Sequence, residues 1–167
     1  IKQSIASLTN PLGLTVSLKD AMESSDIFIG VSVANLLTKD LVLSMNTDSI
    51  IFALANPNPE ISYEIAKEWG VRVVATGRSD YPNQVNNVLA FPGIFRGALD
   101  VRATDINEDM KLAAVEAIAS LVNDNELKDD YIIPRALDER VVQVVASAVS
   151  KTAISSGVCT LNERVMT

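Results

Sequence analysis

The sequence predicts an α/β fold: a doubly wound, mostly parallel sheet followed by C-terminal helices. Three observations carry that prediction. Short β-branched apolar runs recur with helical stretches between them. Each run is near-continuously apolar, whereas a half-wet antiparallel strand would alternate, so strands covered on both faces are expected. From Asn107 onward the strand runs stop and helical periodicity takes over.

The elements follow in chain order. The opening stretch, IKQSIASLTNP, reads like the tail of a helix entered part-way and lacks a secretory-signal pattern; it does not start with Met, which suggests a piece of a longer protein. Residues 17–25 form a helix in which Ser17 caps and Asp20, three positions on, makes an imperfect capping box. Residues 26–32 are the first strand and residues 38–45 a short helix. Residues 49–55 are the second strand. Residues 61–69 are helical with Gly70 as the C-terminal cap, and residues 71–76 are the third strand. Such strand–helix–strand units wind right-handed into a parallel sheet. Residues 107–122 place Met110, Ala113, Ala114, Ala117, Ile118 and Leu121 on one helical face, with Asn107 as N-cap. A polar loop closed by Pro134 leads to a long helix over residues 138–156, ended by Gly157. Residues 1–157 are therefore read as one partial domain with its C-terminal helices, and residues 158–167 as a tail.

Composition narrows the function. The chain has 167 residues, with 14 Lys+Arg against 21 Asp+Glu for a net charge of −7. That balance argues against nucleic acid or an anionic membrane as partner. No apolar run reaches the roughly 18 residues of a membrane helix. There is no His, so neither a His-based triad nor a His-ligated zinc site is available within the chain. The single Cys159 cannot close an internal disulfide, and a reducing, cytoplasmic setting is expected.

Open α/β sheets bind ligands beyond the carboxyl ends of their strands. The segments there read GVSVAN (30–35), ANPNPE (55–60) and GRSDYPNQVNN (77–87), all rich in amides and hydroxyls. Asn56 is either a turn opener or a ligand amide, held extended by Pro57. Asn86 and Asn87 stand at a probable helix entrance, where capping accounts for one of them but not obviously for both. Arg78 is an anion binder or a surface ion pair, and Tyr81 a proton donor or a rim aromatic. The seven glycines form neither Gly-x-Gly-x-x-Gly nor a phosphate loop, so the first half of any dinucleotide domain would precede residue 1.

Three motifs, in order and with family-like spacing, resemble malic enzymes, the oxidative decarboxylases of malate. They are DIFIGVS (26–32), IIFALANP (50–57) with Pro59 and Glu60, and ATGRSDYPNQVNNVLAFPGIFRGALD (75–100). The resemblance covers about residues 1–157 and is nearest to the small bacterial-type enzymes. It implies the second half of a Rossmann-like NAD(P) domain followed by C-terminal helices. It further implies that Gly30, Val31 and Ser32 approach the cofactor, that Asn56 faces the nicotinamide, and that Asn86 and Asn87 reach malate or the nicotinamide carboxamide. Where the family often has Pro-Gly, this chain has Ala34-Asn35; Asn tolerates the left-handed turn next best after Gly.

The resemblance places the catalytic Tyr and Lys, the metal carboxylates and the Gly-rich loop in an absent front half. No catalytic or metal-ligating residue is assigned here, and Asp80 and Asp100 are not promoted to that role. The cofactors implied are NAD or NADP and Mg²⁺ or Mn²⁺, the metal polarising a 2-oxo group. The partners implied are malate and pyruvate, the N-terminal part of the same enzyme, and further copies in a homo-oligomer. A malolactic enzyme on the same scaffold and a non-catalytic α/β binding or assembly module are the alternatives.

Overall fold

Three parallel strands, β1 (Ile27–Gly30), β2 (Ile50–Ala53) and β3 (Val73–Thr76), lie side by side in chain order in the computed structural model. The structure describes residues 2–10 and 12–160. Ile1 and Pro11 of the opening stretch and residues 161–167 of the expected tail lie outside the described residues. Helices α1 (Lys2–Thr9) and α2 (Leu18–Met22) precede β1. Helix α3 (Lys39–Leu43) joins β1 to β2, and α4 (Tyr63–Glu68) joins β2 to β3.

The register fixes which residues share a face. Phe28, Ile51 and Val74 are partners, as are Gly30, Ala53 and Thr76, and both rows point to one side. That side is packed by Met22 of α2, Val42 of α3 and Ala66 of α4, together with Leu37, Met45, Ile61 and Val71. The opposite side carries Ile27–Ile50–Val73 and Ile29–Phe52–Ala75. It is closed at β3, where Ala75 is buried, and open at β1, where Ile27 is 53% and Ile29 67% exposed. The expectation of strands covered on both faces therefore fails at β1. This strand is at the sheet edge, and among the described residues nothing shields its second face.

Local chemistry sets the element ends. Ser17 and Asp20 close a full capping box: the Ser17 N–H donates to Asp20 Oδ2 at 3.0 Å and the Asp20 N–H to Ser17 Oγ at 3.2 Å. Gly70, at φ +90°, ends α4 with paired bonds from Val71 N–H to the Ala66 carbonyl and from Gly70 N–H to that of Lys67. Asn35 adopts φ +57°, the left-handed turn expected of it. β1 stops at Gly30 rather than at residue 32, because the Ser32 N–H bonds a side chain instead of a neighbouring strand.

The second half of the chain has its own core. A 3-10 turn (Asn87–Leu89) leads into α5 (Phe91–Asp100), of which the sequence pattern marks only the entrance. Helices α6 (Glu108–Ala119) and α7 (Glu139–Ser155) follow. Leu89, Ala98, Met110, Ala114, Ala117, Val141, Val145, Val149 and Ala153 are buried among them. Gly93 and Gly97 let α5 press against α7: a Cβ at Gly97 would stand 2.5 Å from the Ala146 carbonyl oxygen. The described tail residues are tied down, since Cys159 bridges Ala103 and the Thr104 N–H donates to the Val158 carbonyl at 2.9 Å. No described helix is long and apolar enough to cross a membrane.

Candidate functional site

The carboxyl ends of β2 and β3 open into a cleft of about 330 Å³. Leu54, Ala55 and Asn56 continue β2 into it, with Pro57 and Pro59 beside them; Gly77 and Arg78 continue β3. The chain after β3 loops away and returns, with the Val85 N–H donating to the Thr76 carbonyl at 2.8 Å. That return brings Val85, Asn86 and Asn87 back to the lining. Asn56 and the adjacent pair Asn86 and Asn87, distant from it in sequence, thus line one cavity.

Each amide is held differently. Asn86 is the N-cap of the 3-10 turn, its Oδ1 accepting the Val88 N–H at 3.0 Å, which realises the capping alternative. Its Nδ2 makes no bond to a described residue. Neither does the side-chain amide of Asn56 or Asn87. Asn56 precedes Pro57 across a cis peptide bond. Amides with open donors and acceptors suit a carboxylate, a hydroxyl or a carboxamide equally, and none of them titrates.

Arg78 lines the cleft but is engaged, pairing its Nε and Nη2 with Asp80 at 2.9 and 2.7 Å. Asp80 is held below the usual carboxylate range by that hydrogen bond. Asp100 pairs with Arg96 one helical turn away. Tyr81 lies outside the amide cleft; its hydroxyl donates to Glu64, which pushes the phenol up, and its ring stacks on Tyr63 at 5.1 Å. Among the described residues no group of three His, Cys, Asp or Glu could hold a metal ion.

The segment 30–32 sits beside the cleft rather than in its lining. The side chain of Val31 is 79% exposed. Ser32 is directed elsewhere: its N–H donates to Glu60 Oε1 at 2.8 Å, with its hydroxyl 3.4 Å from the same oxygen. Glu60 Oε2 accepts the Ala55 N–H at 3.0 Å. Gly30 makes room for this carboxyl, since a Cβ there would stand 2.6 Å from Glu60 Cδ and Oε1. Glu60 has no exposed surface. Burial pushes its carboxyl up, but the N–H groups of Ser32, Ala55 and Glu60 itself, with the Ser32 hydroxyl, outweigh that and hold it below its usual range.

Glu60, quoted within a motif, and Asn83 are polar residues to which sequence reasoning gave no role. Besides its place in that motif, the hint for Glu60 is an acidic residue wedged between Pro59 and the apolar Ile61. Asn83 is buried at φ +55°, donates to the Val74 and Asp129 carbonyls, and accepts from the Ile132 N–H. It ties β3 to the segment before α7. A larger cleft, about 910 Å³, lies on that side, lined by Tyr81, Gln84, Lys128 and Tyr131 among others; it contains none of the three strand-end amides.

Residues 8–154 match the family model described as malic enzyme, NAD binding domain. The chain belongs to the malic enzyme family. It is 63% identical over 158 residues to the bifunctional malic/malolactic enzyme of Bacillus subtilis, covering 95% of this chain and 38% of that protein. It is 56% identical to the NAD-dependent malic enzyme of Geobacillus stearothermophilus, covering 93% of this chain and 32% of that protein. To the NADP-dependent malic enzyme of Escherichia coli the identity is 51%, over 86% of this chain and 21% of that protein. The crystal structure of malic enzyme from Pyrococcus horikoshii superposes with a TM-score of 0.85 at 44% identity, covering 92% of this chain and 35% of that one. The chain thus spans well under half the length of these malic enzymes. The fold class read from the three apolar runs is that of the malic enzymes it superposes on.

Proposed function

We propose that this chain is the nicotinamide-nucleotide-binding part of an enzyme that oxidises and decarboxylates malate to pyruvate and CO₂. The observation that carries the reading is the convergence of Asn56, Asn86 and Asn87 on one cleft at the strand ends. NAD(P)⁺ supplies the acceptor for the hydride leaving C2 of malate. The chain's own residues bind and orient. Nδ2 of Asn86, left free by the cap, donates to a substrate carboxylate. The amides of Asn56 and Asn87 hold the nicotinamide carboxamide or a malate oxygen. Placing acceptor and donor in line is a positioning task, for which uncharged amides on short, capped segments are suited. Gly30, Val31 and Ser32 lie at the neighbouring strand end and approach the dinucleotide in this reading, which the exposure of Val31 supports. Mg²⁺ or Mn²⁺ does not fit the described residues, and no step is assigned to it on them.

A second reading is favoured by the Bacillus subtilis relative, a bifunctional malic/malolactic enzyme. Conversion of malate to lactate and CO₂ would use the same amides with the cofactor retained. The test uses the complete polypeptide containing these residues, supplied with L-malate, Mn²⁺ and NAD⁺ or NADP⁺. Pyruvate with stoichiometric NAD(P)H supports the first reading, and lactate without net reduction the second. Dinucleotide binding with neither product would leave the non-catalytic module.

A further inference from the structure

The buried carboxylate of Glu60 is a group that the proposed chemistry does not use. It is fully enclosed, yet among the described residues it pairs with no cation: its partners are the N–H and hydroxyl of Ser32 and the N–H of Ala55, with its own main-chain N–H also favouring the charge. Enclosing a carboxylate is costly unless its oxygens are well satisfied, and an apolar side chain would fill the space more cheaply. The fold also gives up a side chain at Gly30 to admit it. The two anchors lie at different strand ends: Ser32 just beyond β1, Ala55 just beyond β2. Ala55 is the residue before Asn56, so the bond from its N–H to Glu60 holds the chain one residue short of that amide.

We propose that Glu60 is a positioning residue, which clamps the ends of β1 and β2 together and so fixes the aim of Asn56 into the cleft. The proposal rests on the reading of the cleft as the nicotinamide and malate site. A glutamine at this position keeps the shape but offers one acceptor oxygen and one N–H₂. One of the two anchoring N–H groups then meets a donor, and the clamp opens on that side.

The test is a double-mutant cycle in the complete polypeptide, with Glu60→Gln, Asn56→Ala and both together. Malate kcat/KM, the dinucleotide Kd and the thermal midpoint are measured for each. With Asn56 present, Glu60→Gln should lower kcat/KM by about tenfold or more, the scale of loss expected when a reacting geometry shifts by a fraction of an ångström. The loss should fall chiefly on kcat. In the Asn56→Ala background the same change should cost less than about twofold, because the amide it aims is gone. Gly30→Ala is the second variant: its methyl group presses on the Glu60 carboxyl and on the Phe28 ring, each 2.6 Å from the new Cβ, and its kinetic loss should shrink in the Asn56→Ala background as that of Glu60→Gln does. Additive effects, or a lowered thermal midpoint with wild-type kinetics in both single variants, would overturn the proposal. If the wild-type polypeptide turns over no malate, the reading of the cleft fails separately. The cycle is then read on dinucleotide Kd, where additivity again counts against the clamp and non-additivity for it.

Discussion

Replacing Gly97 with Ala should destabilise the chain, although the change improves helix propensity. Ala is favoured over Gly by about 1 kcal/mol in a helix interior. Against that gain stands the contact with α7. The new methyl would lie 2.5 Å from the Ala146 carbonyl oxygen and 2.9 Å from Val149 Cβ. The oxygen belongs to the backbone of α7 and cannot rotate away, so the helices must part. Overpacking of this kind costs about 1–3 kcal/mol. Separation also stretches the 2.8 Å bond from Ser150 Oγ to the Gly97 carbonyl, worth about another 1 kcal/mol. The losses exceed the gain by roughly 1–3 kcal/mol on these magnitudes. Urea unfolding should show a lower midpoint at unchanged slope, and thermal unfolding a fall of about 2–4 °C per kcal/mol for a chain of this size. Gly77→Ala is the control: its Cβ would have only the Val85 carbonyl oxygen for company, at 4.0 Å. A Gly97→Ala protein at or above wild-type stability would refute the argument that glycine is there for helix contact.

Four further outcomes are expected. Asn56→Asp should raise the malate KM above the value for Asn56→Ala, because a carboxylate at contact distance from dianionic malate adds on the order of 1 kcal/mol of repulsion; equal KM values would remove Asn56 from the substrate site. Asn86→Asp keeps the acceptor that caps Val88 N–H and loses the Nδ2 donor, so stability should hold while kcat/KM falls about tenfold, whereas Asn86→Ala should lose roughly 1 kcal/mol of stability as well. Glu60 is held below the usual carboxylate range, so its stabilisation should be fully present above the unfolded glutamate value of about 4.3 and be lost as pH falls through the lower folded value; denaturant midpoints measured from pH 7 downward should show a shallower acid loss in Glu60→Gln. The 167-residue chain alone should not reduce NAD(P)⁺ with malate and Mn²⁺, and measurable turnover by it would contradict the absence of a metal-ligand cluster among the described residues.

Most strand, cap and helix positions were legible because each has a local chemical signature; α5, Phe91–Asp100, was not read beyond its entrance. Ser17 with Asp20, Gly70, Asn107 and Gly157 behave as caps for the reasons their residue types suggest. The face of α6 read from periodicity is the face that packs, with Met110, Ala114 and Ala117 buried. Asn56, Asn86 and Asn87 were legible as candidates because all three follow strands at the end where α/β sheets bind ligands. Their convergence was implied by the family resemblance and not by the residues alone, since it depends on the return of the chain beside Thr76, a long-range bond that no spacing encodes. Glu60 was opaque for the same reason: its partners, Ser32 and Ala55, are set by sheet register. The open side of β1 was misread because an apolar run shows that a strand prefers cover, and not whether this chain supplies it.

That open strand has a consequence for handling the chain. Among the described residues β1 pairs only with β2, so its outer edge offers free N–H and C=O groups beside the exposed side chains of Ile27, Ile29, Val31 and Val33. A bare, β-branched edge is a template on which a second copy adds its own strand. The surplus of seven negative charges holds copies apart in dilute buffer. Salt removes that protection, because the range of the repulsion shrinks from about 10 Å at 0.1 M to about 3 Å at 1 M. The same ions strengthen the attraction between apolar surfaces when they are of the sulfate type. Purified by itself, the chain should therefore lose solubility as ionic strength rises, which light scattering across a salt series would read.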